Sequence, residues 1–295
     1  MKKFLLLIGL LCNVVYAQTS YKIITPFAPG FNNLVVLRAI PELNKATGFE
    51  FHQEVAGGAG GVIATNTFLN GKDPNRLLVG TQNALNILPA VASDIKYTRS
   101  DFKPVALIGE NYMCLVVSDA LKVDTYSGFL KIAKTTPLFY GTNLGVNGME
   151  HLWFEYVKSR NDLNITAIHY KGAMEAQTAV MKGEVAMALL PVAMCKADLP
   201  GRVVVGYTTQ YESKSLPADA HVSAYMAIMA PKDMPDQQVK ILSEAFAQVW
   251  TDNKSTLTDI VRAPRSILTG KELHDYIEDQ DKKWLRYVKA MAPRN

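Results

Sequence analysis

Short β-branched or apolar runs alternate with amphipathic runs along almost the whole chain, and many of the joints between them are rich in Gly, Pro and Asn. Alternation of this kind restricts the fold to the α/β class, because strand–helix–strand units with short joints build a largely parallel sheet. Residues 21–25, 49–55 and 77–80 read as strands, with helices over 33–43 and 61–69 and a short helix near 87–91. Pro41 is expected to kink or split the first helix, since it removes an N–H and crowds the preceding turn. A second unit carries apolar runs at 105–108 and 114–117, separated by Gly109-Glu110-Asn111. Helices over 129–134, 149–159 and 173–182 and strands over 138–140, 165–170, 185–190 and 203–207 complete it. Leu152, Trp153, Tyr156 and Val157 place one broad apolar face on the helix from 149. A strand over 225–229 returns to the first unit, and helices over 236–250 and 271–291 close the chain. Leu273, Ile277, Trp284, Tyr287, Val288 and Met291 repeat near helical period, as a stripe docked on a lobe would. No Pro/Ser linker separates the units, so continuing strands must join them, which suits a hinge. The expected division is 18–107 with 225–295 as one lobe and 108–224 as the other.

The first residues bear on compartment. Met1-Lys2-Lys3 is a basic head, residues 4–15 form an apolar run, and Val15-Tyr16-Ala17 offers slim residues to a signal peptidase. That layout predicts a signal peptide over residues 1–17 and export to the periplasm. The apolar run is shorter than the roughly 20 residues a membrane span needs. Roughly 280 residues remain, room for one large domain or two smaller ones. A composition of 48% hydrophobic and 20% charged residues is that of an ordinary globular protein. The formal charge of +4 falls further once Lys2 and Lys3 are removed, too little to suit a nucleic acid. Beyond the leader the cysteines are Cys114 and Cys195. They either pair in an oxidising compartment or stay as two buried thiols. The five histidines are scattered and no Cys-x-x-Cys occurs, so neither a metal nor another cofactor is expected.

Three loops sit where a strand ends and a helix begins, the place where open α/β sheets bind ligands. The first runs Pro26-Phe27-Ala28-Pro29-Gly30-Phe31-Asn32-Asn33, with Asn32 or Asn33 placed to cap a helix whose free N–H groups suit an anion. The second, Gly57-Gly58-Ala59-Gly60-Gly61, has Ile63 where a dinucleotide cradle needs glycine, and reads as a close helix–strand turn. The third, Gly141-Thr142-Asn143-Leu144-Gly145-Val146-Asn147-Gly148, reads as a carboxylate nest at a helix start. The first and third loops, one per lobe, point to a cleft. Gln82 and Asn83, after the strand ending at Gly80, are placed to hydrogen-bond the far end of a ligand. Catalytic patterns are poor: Gly-x-Ser-x-Gly and His-Glu-x-x-His are both absent. His169-Tyr170-Lys171-Gly172 offers potential bases without a nucleophile and reads as a strand end facing the cleft.

Taken in order, these segments resemble the substrate-binding proteins of tripartite tricarboxylate transporters, the Bug or TctC family. Pro26-Phe27-Ala28-Pro29-Gly30 with Arg38, the glycines 57–61 and Asp101-Phe102-Lys103-Pro104-Val105 match its opening motifs. Tyr140-Gly141-Thr142 through His151-Leu152, His169-Tyr170-Lys171-Gly172, Lys182-Gly183-Glu184-Val185-Ala186, and Trp284 with Val288 match later ones. The resemblance implies a two-lobed periplasmic binding protein, a Venus flytrap in which each lobe is a mixed sheet flanked by helices. It further implies a monomer that captures a small organic carboxylate and delivers it to the membrane permease subunits of such a transporter. The ligand is expected between loops 26–34 and 141–148, touching Pro29, Gly30, Phe31, Asn32, Asn33, Gln82, Asn83, Thr142, Asn143, Val146, Asn147, Gly148, Tyr170 and Lys171. An extracytoplasmic sensor partner and an exported enzyme on the same scaffold are the alternatives. The sequence departs from the family pattern at Phe31, where a glycine is usual, at Leu34, where the family has Asp, and at Ala186. The third loop is one residue longer and the stretch 215–221 is shortened. An aromatic or otherwise more apolar acid is the expectation that follows.

Overall fold

The computed structural model describes residues 19–26, 31–210, 212–253, 257 and 267–291, with the backbone alone for 31, 32, 111, 290 and 291. The signal peptide expected over 1–17, together with Pro29, Gly30 and the side chains of Phe31 and Asn32, lies outside the described residues.

Three parallel strands, β1 (Ser20–Thr25), β2 (Glu50–Val55) and β3 (Arg76–Thr81), begin the fold in the order β2-β1-β3. Helices α1 (Phe31–Thr47) and α2 (Val62–Asn70) connect them, and a tight turn over Asn83–Ile87 leads into the short α3 (Leu88–Val91). Pro41 neither ends nor splits α1. Its ring removes the donor for the carbonyl of Leu37, which is 53% exposed, so water can take that oxygen in the donor's place. Asn33 is not the helix cap: α1 starts at Phe31, and Asn33 lies buried in its first turn.

The two apolar runs expected around Gly109 form one strand, β4 (Phe102–Ser118). From Phe102 to Tyr112 it pairs antiparallel with β9 (Ser223–Pro231), which pairs in turn with β3. From Met113 to Ser118 it pairs with β7 (Met187–Pro191) on one edge and β8 (Arg202–Tyr207) on the other. Parallel strands β5 (Leu138–Thr142) and β6 (Ile165–His169) extend the sheet beyond β7, giving the path β2-β1-β3-β9-β4-β7-β5-β6. Helices α4 (Tyr126–Thr135), α5 (Met149–Asn161) and α6 (Ala173–Met181) flank this second part. The first part is closed by α7 (Asp236–Asp252) and α8 (Gly270–Met291). The result is an α/β fold of two lobes, each a mixed sheet between helices.

The core is divided accordingly. Val35, Val36, Phe51, Phe246 and Trp250 pack on one face of the first sheet, and Phe68, Leu78, Leu85 and Phe102 on the other. Tyr140, Trp153, Phe154 and Leu189 belong to a third cluster against the second sheet. The stripe on α8 does not stay on one lobe. Leu273 and Ile277 join the cluster of Phe68, whereas Trp284 and Tyr287 join that of Trp153. The helix is thus a strap across both sheets.

Cys114 on β4 and Cys195, in the turn after β7, form a disulfide, with their Cα atoms 6.5 Å apart. Of the two readings open from sequence, pairing is the one found. Among the described residues no helix is long and apolar enough to cross a membrane, and no group of His, Cys, Asp or Glu is placed to hold a metal.

Candidate functional site

The carboxyl ends of β1, β3, β5 and β7 run toward the level where β4 changes partners, so their loops meet at the seam between the lobes. One side chain spans that seam. Asn83, 4% exposed, donates from Nδ2 to the carbonyl of Gly60 at 2.8 Å, and its Oδ1 accepts the N–H of Met149 at 3.0 Å. Met149 is the first residue of α5, so a residue from the end of β3 caps a helix of the other lobe.

The glycine turn earns its composition here. Gly58, Gly60 and Gly61 have φ of 130°, 62° and 102°, values that L side chains rarely adopt. At Gly60 a Cβ would stand 2.6 Å from Asn83 Nδ2 and 3.2 Å from the carbonyl oxygen of Leu144. The turn is therefore a close-packed part of the seam, more than a simple link between β2 and α2. Gly60→Ala is expected to cost about 1–3 kcal/mol from left-handed backbone and the clash. The loss should appear as a lower midpoint in urea unfolding, with helical content unchanged.

The loop over 142–148 does not offer its N–H groups freely. Asn147 donates to His151 Nδ1 at 3.2 Å, Gly148 to the carbonyl of Gly145 at 3.2 Å, and Met149 to Asn83. The N–H groups of Leu144 and Glu150 act on the carboxyl of Glu150. Much of the expected anion nest is thus taken up by the protein's own groups. Asn147, in left-handed conformation at φ 64°, lets the chain turn into the helix. His151 stacks on Tyr140, and burial pushes its pKa below the ordinary value. Accepting at Nδ1 leaves the proton of the neutral ring on Nε2.

What remains is a set of buried polar atoms without a hydrogen-bond partner among the described residues. Around the seam they include Oε1 and Nε2 of Gln82, Oγ1 of Thr142, Oδ1 of Asn143 and Oε2 of Glu150. Buried polar atoms are nearly always paired, so such a group near one seam marks a place where a polar ligand would be held. Gln82 and Thr142 are completely buried at the ends of β3 and β5. Tyr170 is half-buried beside Gly141, its ring 3.3 Å from where a Cβ there would lie. Val146, 63% exposed, and Lys171 stand out in solvent, and the Lys171 N–H is held by the Glu175 carboxylate at 3.0 Å. Leu34 is 39% exposed on α1. Gly60 and Glu150 are the residues that sequence reasoning did not place at the site. The signal available for Glu150 was an acid in a first turn otherwise made of Met149, His151 and Leu152.

Residues 52–292 match the model of the tripartite tricarboxylate transporter family receptor, TctC. The chain belongs to that family. Among curated relatives, the protein BugT of Bordetella pertussis is 24% identical over 301 residues, spanning 95% of this chain and 91% of its own length. An Agrobacterium vitis protein from the TAR-I ttuE-ttuC' intergenic region is 28% identical over 263 residues, 81% of this chain and 75% of that one. Solved TctC-like folds superpose closely. A Rhodopseudomonas palustris protein solved with adipate gives a TM-score of 0.80 at 19% identity, covering 93% of this chain and 98% of its own. The R. palustris protein MatC with bound malate gives 0.75 at 18% identity, covering 92% and 99%. The periplasmic binding protein BugD gives 0.79 at 18% identity, covering 93% and 98%. At such identity these structures fix the TctC-family fold, and the site is argued from this chain's own residues.

Proposed function

We propose that this protein is a periplasmic solute-binding receptor that captures a small organic carboxylate between its lobes and hands it, unchanged, to the permease of a tripartite transporter. The observation that carries the reading is the group of buried atoms on Gln82, Thr142 and Asn143, without a partner among the described residues, at strand ends on both sides of the Asn83 contact. A ligand that bonds groups on both lobes gains its full set of contacts only when they are together, so binding favours closure. β4 and β9 supply the hinge, the lobes exchanging near Tyr112 on β4 and Ser223 at the start of β9. Adipate and malate in structural relatives support a carboxylate as the ligand class. The disulfide supports an oxidising compartment and hence the expected export. The receptor works as a monomer, with no cofactor.

A thermal-shift panel of adipate, malate, benzoate and citrate tests the reading, because a ligand specific for the folded state raises the melting temperature by mass action. At 100 times its dissociation constant a bound acid contributes about 2.7 kcal/mol, a shift of several degrees. A flat response across the panel, or chemical conversion of an acid by the purified protein, would sink it.

A further inference from the structure

Glu150 is the buried ionisable group at the seam that the reading above leaves without a task. It lies in the first turn of α5, 2% exposed, with Oε2 unpartnered among the described residues. Its neighbours in sequence tie it to both lobes: Met149 donates across the seam to Asn83, and Leu144, whose N–H acts on the Glu150 carboxyl, has its carbonyl against Gly60. Gln82 Nε2 and Thr142 Oγ1, two donors likewise without a partner among the described residues, adjoin the same contacts in sequence, one beside Asn83 and the other two residues before Leu144.

Resting on the capture reading, we infer that Glu150 carries a proton at neutral pH and donates it as a hydrogen bond to the ligand carboxylate, alongside Gln82 and Thr142. With the N–H groups of 147–149 engaged inside the protein, the anion is met by neutral donors from side chains rather than by a helix end. A short O–H···O⁻ bond of this kind is among the stronger hydrogen bonds. Burial supports the protonated form, lifting the Glu150 carboxyl to about 8 despite the opposing N–H groups of Glu150 and Leu144. No charged group among the described residues adds to or opposes that rise. Around it β3 and its turn bring the uncharged Gln82 and Asn83, and the glycine turn 57–61 brings no ionisable group. β5 brings Thr142 and Tyr140, the latter donating to Glu155 at 3.0 Å. On α5 the nearest titratable group in sequence is His151, and β6 ends at His169, whose ring lies 5.8 Å from that of His151. Burial holds the His151 imidazole below its ordinary value, so that ring is neutral in the alkaline range where Glu150 would ionise.

The sign follows directly. Once Glu150 ionises, its carboxylate repels the ligand's, so binding above pH 8 must take up one proton from solvent. Affinity for whichever acid of the panel adipate, malate, benzoate and citrate binds should be level from about pH 7 to 7.5. It should fall about tenfold per pH unit above about 8.5, as one-proton linkage requires. Glu150→Gln, which keeps an uncharged donor, should give a level profile over the same range. Calorimetry in buffers of different ionisation enthalpy should find about one proton taken up per ligand at pH 9 by the parent and none by the variant. Should the variant fold poorly, ¹³C NMR titration of the Glu150 carboxyl in the parent decides instead: ionisation below pH 6 overturns the inference, and ionisation near 8 supports it. Identical pH profiles for parent and variant overturn it while leaving carboxylate capture intact. Failure of all four acids to bind the parent at any pH overturns the capture reading itself, and this inference with it.

Discussion

Replacing both Cys114 and Cys195 by serine is expected to lower stability by about 4 kcal/mol, the loop-closure value for a cross-link of this span. The bond joins positions 81 residues apart, so the reduced unfolded chain gains a large freedom that the oxidised one lacks. For a chain of this size the melting temperature should drop by roughly 10 °C. Both cysteines are buried, 0% for Cys114 and 5% for Cys195, in a cluster with Val116, Ala179, Val180 and Leu190, so two hydroxyls there add to the loss. The alanine pair separates the terms, since it removes the cross-link without adding polar groups. The bond ties β4 to the turn after β7, both within the second sheet, and does not bridge the seam. Ligand affinity in the alanine pair should therefore stay within about threefold of the parent, a difference under about 0.7 kcal/mol. Equal urea midpoints for oxidised parent and double-alanine variant would refute the stabilising role.

The order of elements was legible because strands and helices here differ in period and are punctuated by Gly, Pro and Asn. Difficulty arose where a local signal was overruled from a distance. Gly109-Glu110-Asn111 interrupts an apolar pattern and reads as a loop, yet these residues pair with Met226, Tyr225 and Ala224 on β9. Glu110 is accommodated there because Tyr276 of α8 donates to its carboxylate. Pro41 reads as a kink or split in the helix, yet α1 runs through it, with the affected turn facing water. The loop over 142–148 reads as an open anion nest from its residue types. What cannot be read locally is that Asn83, 66 residues earlier, and the side chains of Glu150 and His151 would engage its N–H groups. Gln82 and Asn83 were recognised as polar residues after a strand. Their different fates, one bridging the lobes and the other left unpartnered, depend on tertiary approach alone.

Asn83→Ala is expected to disturb the site more than any other single change considered. The truncation leaves the Gly60 carbonyl and the Met149 N–H without their partner in a water-poor seam, at about 1–3 kcal/mol for each buried group that stays unsatisfied. It also removes a polar side-chain bridge that joins the glycine turn to the start of α5, so closure loses part of its driving force. If the closed form becomes a minor population, apparent affinity falls in proportion to that population. A loss of about 2–3 kcal/mol in closure corresponds to roughly 30- to 150-fold weaker binding. Asn83→Asp sharpens the test. The carboxylate still accepts from Met149, and its charge suits the N-terminus of α5, but it cannot donate to Gly60 and it places an anion beside the ligand's. The aspartate variant should therefore melt closer to the parent than the alanine variant does, while binding carboxylates at least as poorly. Small-angle scattering should show both variants remaining more open than the parent at equal acid concentration. A parent-like affinity in the alanine variant would mean that the lobes are held by contacts other than the Asn83 bridge.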